Sequence, residues 1–342
     1  MACITEIPFG SVDGKAVTAY TITNNNGMQV GIINYGATII KIITKDKNGN
    51  DGNVIVGFNS VEGYIKNSVQ YFGSTVGRFC NRIANAHFVL DGKEYKLAAN
   101  AGGHHLHGGI KGFDKAIWQV DKQTGSNSIK CTYLSKDGEE GYPGNLQVEV
   151  FFTVANNNAL LIEYTATTNK ATPLNLTNHS YFNLSAGKTA TVLNHNLYIN
   201  AKKYSVPIFD TQAQGIKEIE KGSPLDFSIS KKIGADIDKL ADNYDHNFVL
   251  EKNPGTDAEL YDPATGRFME VITTEPCLQL YSGNFMQNTI ADDGNKSYIK
   301  HGAVCLEAQH FPNSPNEPSY PNTILRPGEV YRQKTEYRFS IK

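Results

Sequence analysis

Apolar and polar residues alternate with a period of two over most of this chain, a periodicity that suits antiparallel sheet and little else. Leu146 to Val154 (LQVEVFFTV) puts an apolar side chain at every second position. The turn formers Asn156-Asn157-Asn158 follow, and Ala159 to Thr167 (ALLIEYTAT) resumes the alternation, which predicts a β-hairpin. Comparable runs flank Lys47-Asn48-Gly49-Asn50-Asp51-Gly52, and further strands are predicted over Phe268 to Thr274, Cys277 to Tyr281 and Tyr331 to Ile341. Helical spacing is sparse; the best case is Ile233, Ile237 and Leu240 within KKIGADIDKLADN, about three turns. No βαβ alternation is visible. Many short strands separated by Gly, Asn and Pro turns predict an all-β fold, a large antiparallel β-sandwich with few short helices. The 342 residues would allow two domains, yet no linker or shift of composition divides them, so a single domain over residues 1–342 is expected. The Pro-rich stretch Phe311 to Pro321 (FPNSPNEPSYP) is followed by more strand pattern and reads as a rigid surface loop.

Composition removes several functions. Apolar residues make up 40% of the chain and charged residues 19%, enough for a large core. The 32 lysines and arginines balance 34 acidic residues without a basic run, so nucleic acid is not an expected partner. The longest apolar region, Met28 to Ile43, is broken by Gln29, Asn34 and Lys41 and cannot cross a bilayer, so no membrane association is expected. The N-terminus MACITEIPFGSVDGKAV lacks the basic and apolar regions of a secretion leader. Cys3, Cys80, Cys131, Cys277 and Cys305 are odd in number and widely scattered, which suits reduced thiols. Sequons crowd together at Asn175, Asn178 and Asn183, where glycans would bury a segment rich in chemistry. A cytoplasmic protein is expected.

Nucleotide cofactors find no support. Gly187-Lys188-Thr189 has Phe182 where a Walker A loop needs its first glycine, and the glycines from Gly102 to Gly112 follow no dinucleotide spacing. The densest local chemistry is GGHHLHGGIKGFDKAIW, where His104, His105 and His107 sit between glycine pairs that let other groups approach the backbone. On a strand, His105 and His107 would share a face, but no acidic or thiol ligand is close by to complete a metal site. Loop histidines bonded to backbone are the plain alternative. In Asn175-Leu176-Thr177-Asn178-His179-Ser180-Tyr181-Phe182-Asn183-Leu184 a histidine stands among amides, hydroxyls and rings, groups that suit hydroxyls and the C–H faces of a sugar. A buried, satisfied histidine would leave the same string.

In Ala303-Val304-Cys305-Leu306-Glu307-Ala308-Gln309-His310, alternation puts Val304, Leu306 and Ala308 on one face and Cys305, Glu307 and Gln309 on the other. If the second face is enclosed, Glu307 is a desolvated carboxylate poised as a base; if it is open, Glu307 is an ordinary solvated strand residue. Arg82 in Gly77 to Ile83 could fork onto sugar oxygens and Asp245 in Tyr244 to Phe248 could accept from hydroxyls, although surface ion pairs use the same residues.

Six motifs stand in order: NRI at Asn81 to Ile83, LHGGxxGFDK from Leu106, NLTNHSYFNL from Asn175, YDHNFVL from Tyr244, LQLYSGN from Leu278 and VCLEAQHFPNSPN from Val304. Together they resemble the galactose mutarotase (aldose 1-epimerase) family across essentially the whole chain. The resemblance implies a single mutarotase-like β-supersandwich with a sugar in an open cleft, no metal and no organic cofactor. It further implies that Glu307 is the general base, His179 the principal general acid and His107 a second catalytic or substrate-orienting histidine. Asn81, Arg82, Tyr181, Asp245 and Gln279 would contact the sugar. The chain departs from the family pattern at Cys80, where alanine is usual, and at Asn313, where aspartate is usual.

The expected activity is interconversion of α and β anomers of hexoses such as galactose and glucose, in galactose and hexose metabolism. The expected partner is a small hexose, with the protein a monomer or weak homodimer. A hexose-6-phosphate 1-epimerase would need a cluster of cations at the cleft; a non-catalytic sugar-binding domain would bind without exchanging anomers; a glycosidase would need two acids at a set separation.

Overall fold

The predicted hairpin forms, with Leu146–Val154 and Ala159–Thr168 antiparallel from Leu146 opposite Thr168 to Val154 opposite Leu160. Val148, Val150, Phe152, Leu160 and Ile162 are buried on one face, as the alternation requires. A computed structural model describes residues 3–123, 125–208, 215–289 and 298–342. Met1 and Ala2, which belong to the N-terminal segment read above, lie outside them.

The hairpin sits in a nine-stranded sheet in which Ala159–Thr168 pairs with the C-terminal strand Tyr331–Ile341, and that strand with Arg267–Thr273. A second sheet of seven strands runs in the order Ile216–Glu218, Ala201–Ser205, Asp245–Leu250, Cys277–Tyr281, Val304–Gln309, Tyr181–Phe182 and Ile55–Val56. One apolar cluster fills the space between them, taking Val150, Ile162 and Tyr337 from the first sheet and Phe248, Leu280, Val304 and Leu306 from the second. The Tyr337 hydroxyl crosses the interface to the Leu306 carbonyl at 2.9 Å. A five-stranded N-terminal sheet, from Cys3–Val12 to Asp51–Asn53, adds Ile22, Val30, Ile32 and Ile42 to the same core.

Two expectations need correction. No three-turn helix forms around Ile233 to Leu240; two separate 3-10 turns, Ile233–Ala235 and Ile237–Lys239, stand there instead. Asp236 breaks them apart at φ −133°, ψ 8°, and its carboxylate takes Lys231 and Lys239. Ile233 and Ile237 are buried all the same, so the apolar spacing reports burial and not helix. Among the described residues the α-helix is Val61–Lys66, opened by Ser60, whose hydroxyl accepts the Gly63 N–H. The Pro-rich stretch is only in part a surface loop, since Phe311 to Ser314 are buried.

No helix of the described residues is long and apolar enough to cross a membrane. Cys80, Cys131, Cys277 and Cys305 are buried free thiols, and Cys3 is exposed. All three sequon asparagines are buried.

Candidate active site

The strand Val304–Gln309 shows how alternation builds a site. Its Val304, Leu306 and Ala308 face the core, so Cys305, Glu307 and Gln309 face the other way. Neighbouring strands are in register with it: Gln279 lies opposite Glu307, Tyr281 and Tyr181 flank Cys305, and Asp245 lies opposite Tyr281. That second face is enclosed, for Glu307 is 2% exposed. Of the two readings left open for this carboxylate, the solvated one is ruled out.

Two loop segments close over the sheet face. Arg82–Ile83 pairs with His105–Leu106, and both Asn81 and His107 take left-handed backbone, at φ 58° and 51°. That turn in the chain separates the histidines and corrects the expectation that His105 and His107 share a face. His105 points into the body of the protein, bonded to the Ala98 carbonyl at 2.9 Å and the Tyr142 hydroxyl at 2.8 Å. His104 accepts the Asn85 N–H at 3.1 Å. His107 alone of the three reaches the cleft. It can do so because residue 108 is glycine: at φ 82°, a Cβ would fall 1.9 Å from the Gly77 carbonyl oxygen.

His179 is fixed by its own backbone, which donates to the Ser74 carbonyl at 3.0 Å and accepts the Gly73 N–H at 2.9 Å. Its ring stacks on Tyr181 at 5.1 Å and on Tyr71 at 6.0 Å, each at 28°. The surrounding amides brace the segment and do not face a ligand: Asn178 donates to the Gly73 carbonyl, Asn183 to the Gly302 carbonyl, and Asn175 accepts the His310 N–H. From this motif only His179 and Tyr181 reach the cleft.

Glu307, His179, His107, Asn81, Arg82, Tyr181, Asp245 and Gln279, the eight residues expected at the site, all line one open cleft of about 600 Å³. His179 Nε2 lies 3.7 Å from Glu307 Oε1. Asn81 donates to Gln279 Oε1 at 3.2 Å, and Gln279 donates to Asp245 Oδ1 at 2.5 Å, a chain that fixes three polar side chains across neighbouring elements. Sequence reasoning missed Tyr71, whose ring packs 4.6 Å from that of His107 with the Lys115 ammonium over it at 5.1 Å. It also missed Tyr281 and the exposed rim residues Val69 and Phe285.

Residues 18–338 match the aldose 1-epimerase family. Over their full lengths the chain and the galactose mutarotase of Bos taurus are 38% identical, and the aldose 1-epimerase of Escherichia coli (strain K12) is 35% identical over 98% of this chain and 99% of its own. The chain belongs to the aldose 1-epimerase family. Solved structures agree. The GalM/aldose epimerase homologue of C. elegans superimposes with a TM-score of 0.86 at 29% identity, covering all of this chain and 99% of its own. The galactose 1-epimerase of Lactobacillus acidophilus NCFM gives 0.84 at 28% identity over the same shares. The fold is therefore the mutarotase sandwich, and the chain is an isomerase by family.

In this aldose 1-epimerase fold, burial sets the protonation of the central groups. Burial raises the Glu307 carboxyl well above the usual carboxylate range; Asp245 adds to the effect and Arg82 partly offsets it. Burial lowers the His179 imidazole to about 4. It holds His107 well below its ordinary value, with His179, Arg82 and Lys115 pushing the same way. Asp245 is likewise raised by burial, against Arg82 and Gln279.

One atom of each of His107, His179 and Glu307 lies within 4.8 Å of the others, a spacing that three metal ligands could have. The hydrogen bonding speaks against it. His107 Nδ1 accepts the Asn81 N–H at 3.2 Å, so the neutral ring carries its proton on Nε2 and has no lone pair left for an ion. Ligating histidines ordinarily donate from the second nitrogen, the reverse of this arrangement.

Proposed function

We propose that this chain is an aldose 1-epimerase that interconverts the α and β anomers of free hexoses such as D-galactose and D-glucose, without a metal or an organic cofactor. One observation carries the reading: at the floor of a sugar-sized cleft, His179 Nε2 and Glu307 Oε1 stand 3.7 Å apart, and Glu307 Oε2 is buried with no hydrogen-bond partner among the described residues. An unmatched buried oxygen of this kind is costly unless a ligand hydroxyl completes it.

In the proposed reaction the Glu307 carboxylate takes the proton of the C1 hydroxyl, and the C1–O5 bond breaks as C1 becomes an aldehyde carbon. Protonated His179 delivers its Nε2 proton to O5. Rotation about C1–C2 and the reverse transfers close the ring on the other face, as microscopic reversibility requires. Opening leaves Glu307 protonated and His179 neutral. Burial favours both of those states, so the chemistry moves the pair toward the protonation it prefers. Asn81, Arg82, Tyr181, Asp245 and Gln279 hold the remaining hydroxyls and the C–H face of the ring, and His107 donates from Nε2 to orient it.

Arg82 is the one lysine or arginine among the described residues lining the cleft, which suits a free hexose better than a hexose phosphate. The buried free thiols and buried sequon asparagines support a cytoplasmic protein; we take it to work as a single domain and as a monomer or weak homodimer.

The test is polarimetry on freshly dissolved α-D-galactose and α-D-glucose. Purified protein is expected to accelerate the decay of optical rotation, with the acceleration unchanged by EDTA. A folded protein that accelerates neither sugar would overturn the proposal. Binding without acceleration would leave a sugar-binding domain, and acceleration confined to hexose 6-phosphates would leave the phosphosugar enzyme.

A further inference from the structure

Both cleft histidines have a partner on Nδ1, and the two partners differ in kind. The Asn81 backbone N–H can only donate, so His107 Nδ1 must accept and its proton stays on Nε2. Facing His179 Nδ1 is the thiol of Cys305, with Sγ at 3.5 Å. This sulfur is wholly buried, in register between Tyr181 and Tyr281 and two residues from Glu307 on the same strand face. A thiol, unlike an amide, can accept as well as donate.

We infer that Cys305 is the positioning residue of His179, its sulfur accepting the Nδ1 proton so that the two cleft histidines are held in opposite tautomers: His107 as a fixed Nε2–H donor, and His179 as an Nδ1–H ring whose Nε2 is free to exchange a proton. The inference rests on the proposed acid role of His179. A group that gives a proton to O5 and then takes it back must present a lone pair at Nε2 in between. The remaining ring proton must then sit on Nδ1 and needs an acceptor there. His107 cannot play that part, because the Asn81 N–H occupies its Nδ1.

The neutrality of the partner matters as well. A carboxylate on Nδ1 would stabilise the imidazolium and make His179 a weaker acid, as opposite charges do for any histidine. Burial, with Glu307 and Asp245 adding to it, keeps Cys305 a thiol, so its sulfur orients the ring without holding the charge. The other titratable or charged groups around His179 are Glu307 from the same strand as Cys305, Tyr281 and Tyr181 from the flanking strands, His107 and Tyr71 from the loops, and Arg82 and Asp245 further along the cleft.

The direct test needs no variant. In protein labelled with ¹⁵N-histidine, the wild-type His179 resonances, assigned with His179→Asn, should show a protonated Nδ1 and a pyridine-like Nε2, with His107 the reverse. A wild-type His179 protonated on Nε2 at neutral pH overturns the inference, whatever the activity. In support, Cys305→Ala should lower kcat by roughly tenfold at unchanged KM and mix the His179 tautomers, while Cys305→Ser, which keeps an acceptor, should restore both. A folded Cys305→Ala protein with wild-type kcat, pH profile and tautomer also overturns it. If His179→Asn itself proves fully active, it is the acid assignment that fails, and the tautomer spectrum still reports on Cys305 separately.

Discussion

The strands Cys277–Tyr281 and Val304–Gln309 are buried on both faces, and Asp245–Leu250 beside them partly so, but the two faces differ in chemistry. One carries Phe248, Leu278, Leu280, Val304 and Leu306 into the shared core; the other carries Asp245, Gln279, Tyr281 and Glu307 to the cleft, with Cys305 buried beside them. The first face is buried by packing that gains free energy from the burial. The second is buried against its own chemistry, so that a carboxylate and an imidazole both sit away from their ordinary protonation. Burial alone therefore says little about a residue's purpose in this sheet; the parity of its position says more.

Substitutions can break that contrast. The largest expected effect is on the cleft face: Glu307→Gln should lower kcat/KM by about 10² to 10⁴, the value of a proton transfer, while leaving thermal stability equal or higher because an unpartnered carboxylate is gone. A melting temperature that falls with the activity would place Glu307 among structural residues. One position earlier, Leu306→Ala should do the opposite, costing about 2–5 kcal/mol of stability by urea titration with kcat nearly intact below the transition. Equal damage to rate and stability at both positions would erase the distinction between the faces.

A third case probes buried charge outside the catalytic pair. Burial raises the Asp114 carboxyl to about 6 despite its bond to Lys115, so its folded value lies above the unfolded one. Such a group contributes stability below the unfolded value and loses it as pH rises through the folded one. Wild-type stability should therefore drop between pH 4 and pH 7 by a share that Asp114→Asn lacks, up to roughly 3 kcal/mol. Parallel stability curves for the two proteins would rule this out. The smallest effect is expected in the pH profile of kcat/KM. The working pair holds one proton; acidification through about 4 adds a second at His179, and activity should then fall about tenfold per unit, whereas the alkaline limb awaits deprotonation at the raised Glu307. An acid limb near 6.5 would mean an unperturbed histidine and a wet site.

These two faces were legible in the sequence to different depths. Period-two spacing located the strands Cys277–Tyr281 and Tyr331–Ile341 to the residue and placed Glu307 opposite Leu306. Whether the Glu307 face was enclosed could not be read from the strand, because the enclosure comes from Asn81, Arg82 and His107, which lie on loops some two hundred residues away. The family motifs supplied that list. The glycines after His107 hinted at unusual backbone but not that the left-handed turn falls on His107 itself, so His105 and His107 seemed to share a face. Tyr71 had no local signal at all: it follows a short 3-10 turn in left-handed conformation, and only tertiary contact brings it to the histidines. The spacing of Ile233, Ile237 and Leu240 suggested a helix because burial of two turns mimics the period of one.

The buried start of the Pro-rich segment has a consequence for engineering. Asn313 donates its backbone N–H to the Arg82 carbonyl at 2.7 Å, and its side chain accepts the Ala84 N–H at 2.9 Å, so the chain leaving the glutamate strand clamps the strand that presents the arginine. The position where this sequence departs from the aspartate usual in the family is that clamp. Because Asn313 is not among the residues lining the cleft, a substitution there would act on the backbone that carries Arg82 without replacing any residue of the binding surface.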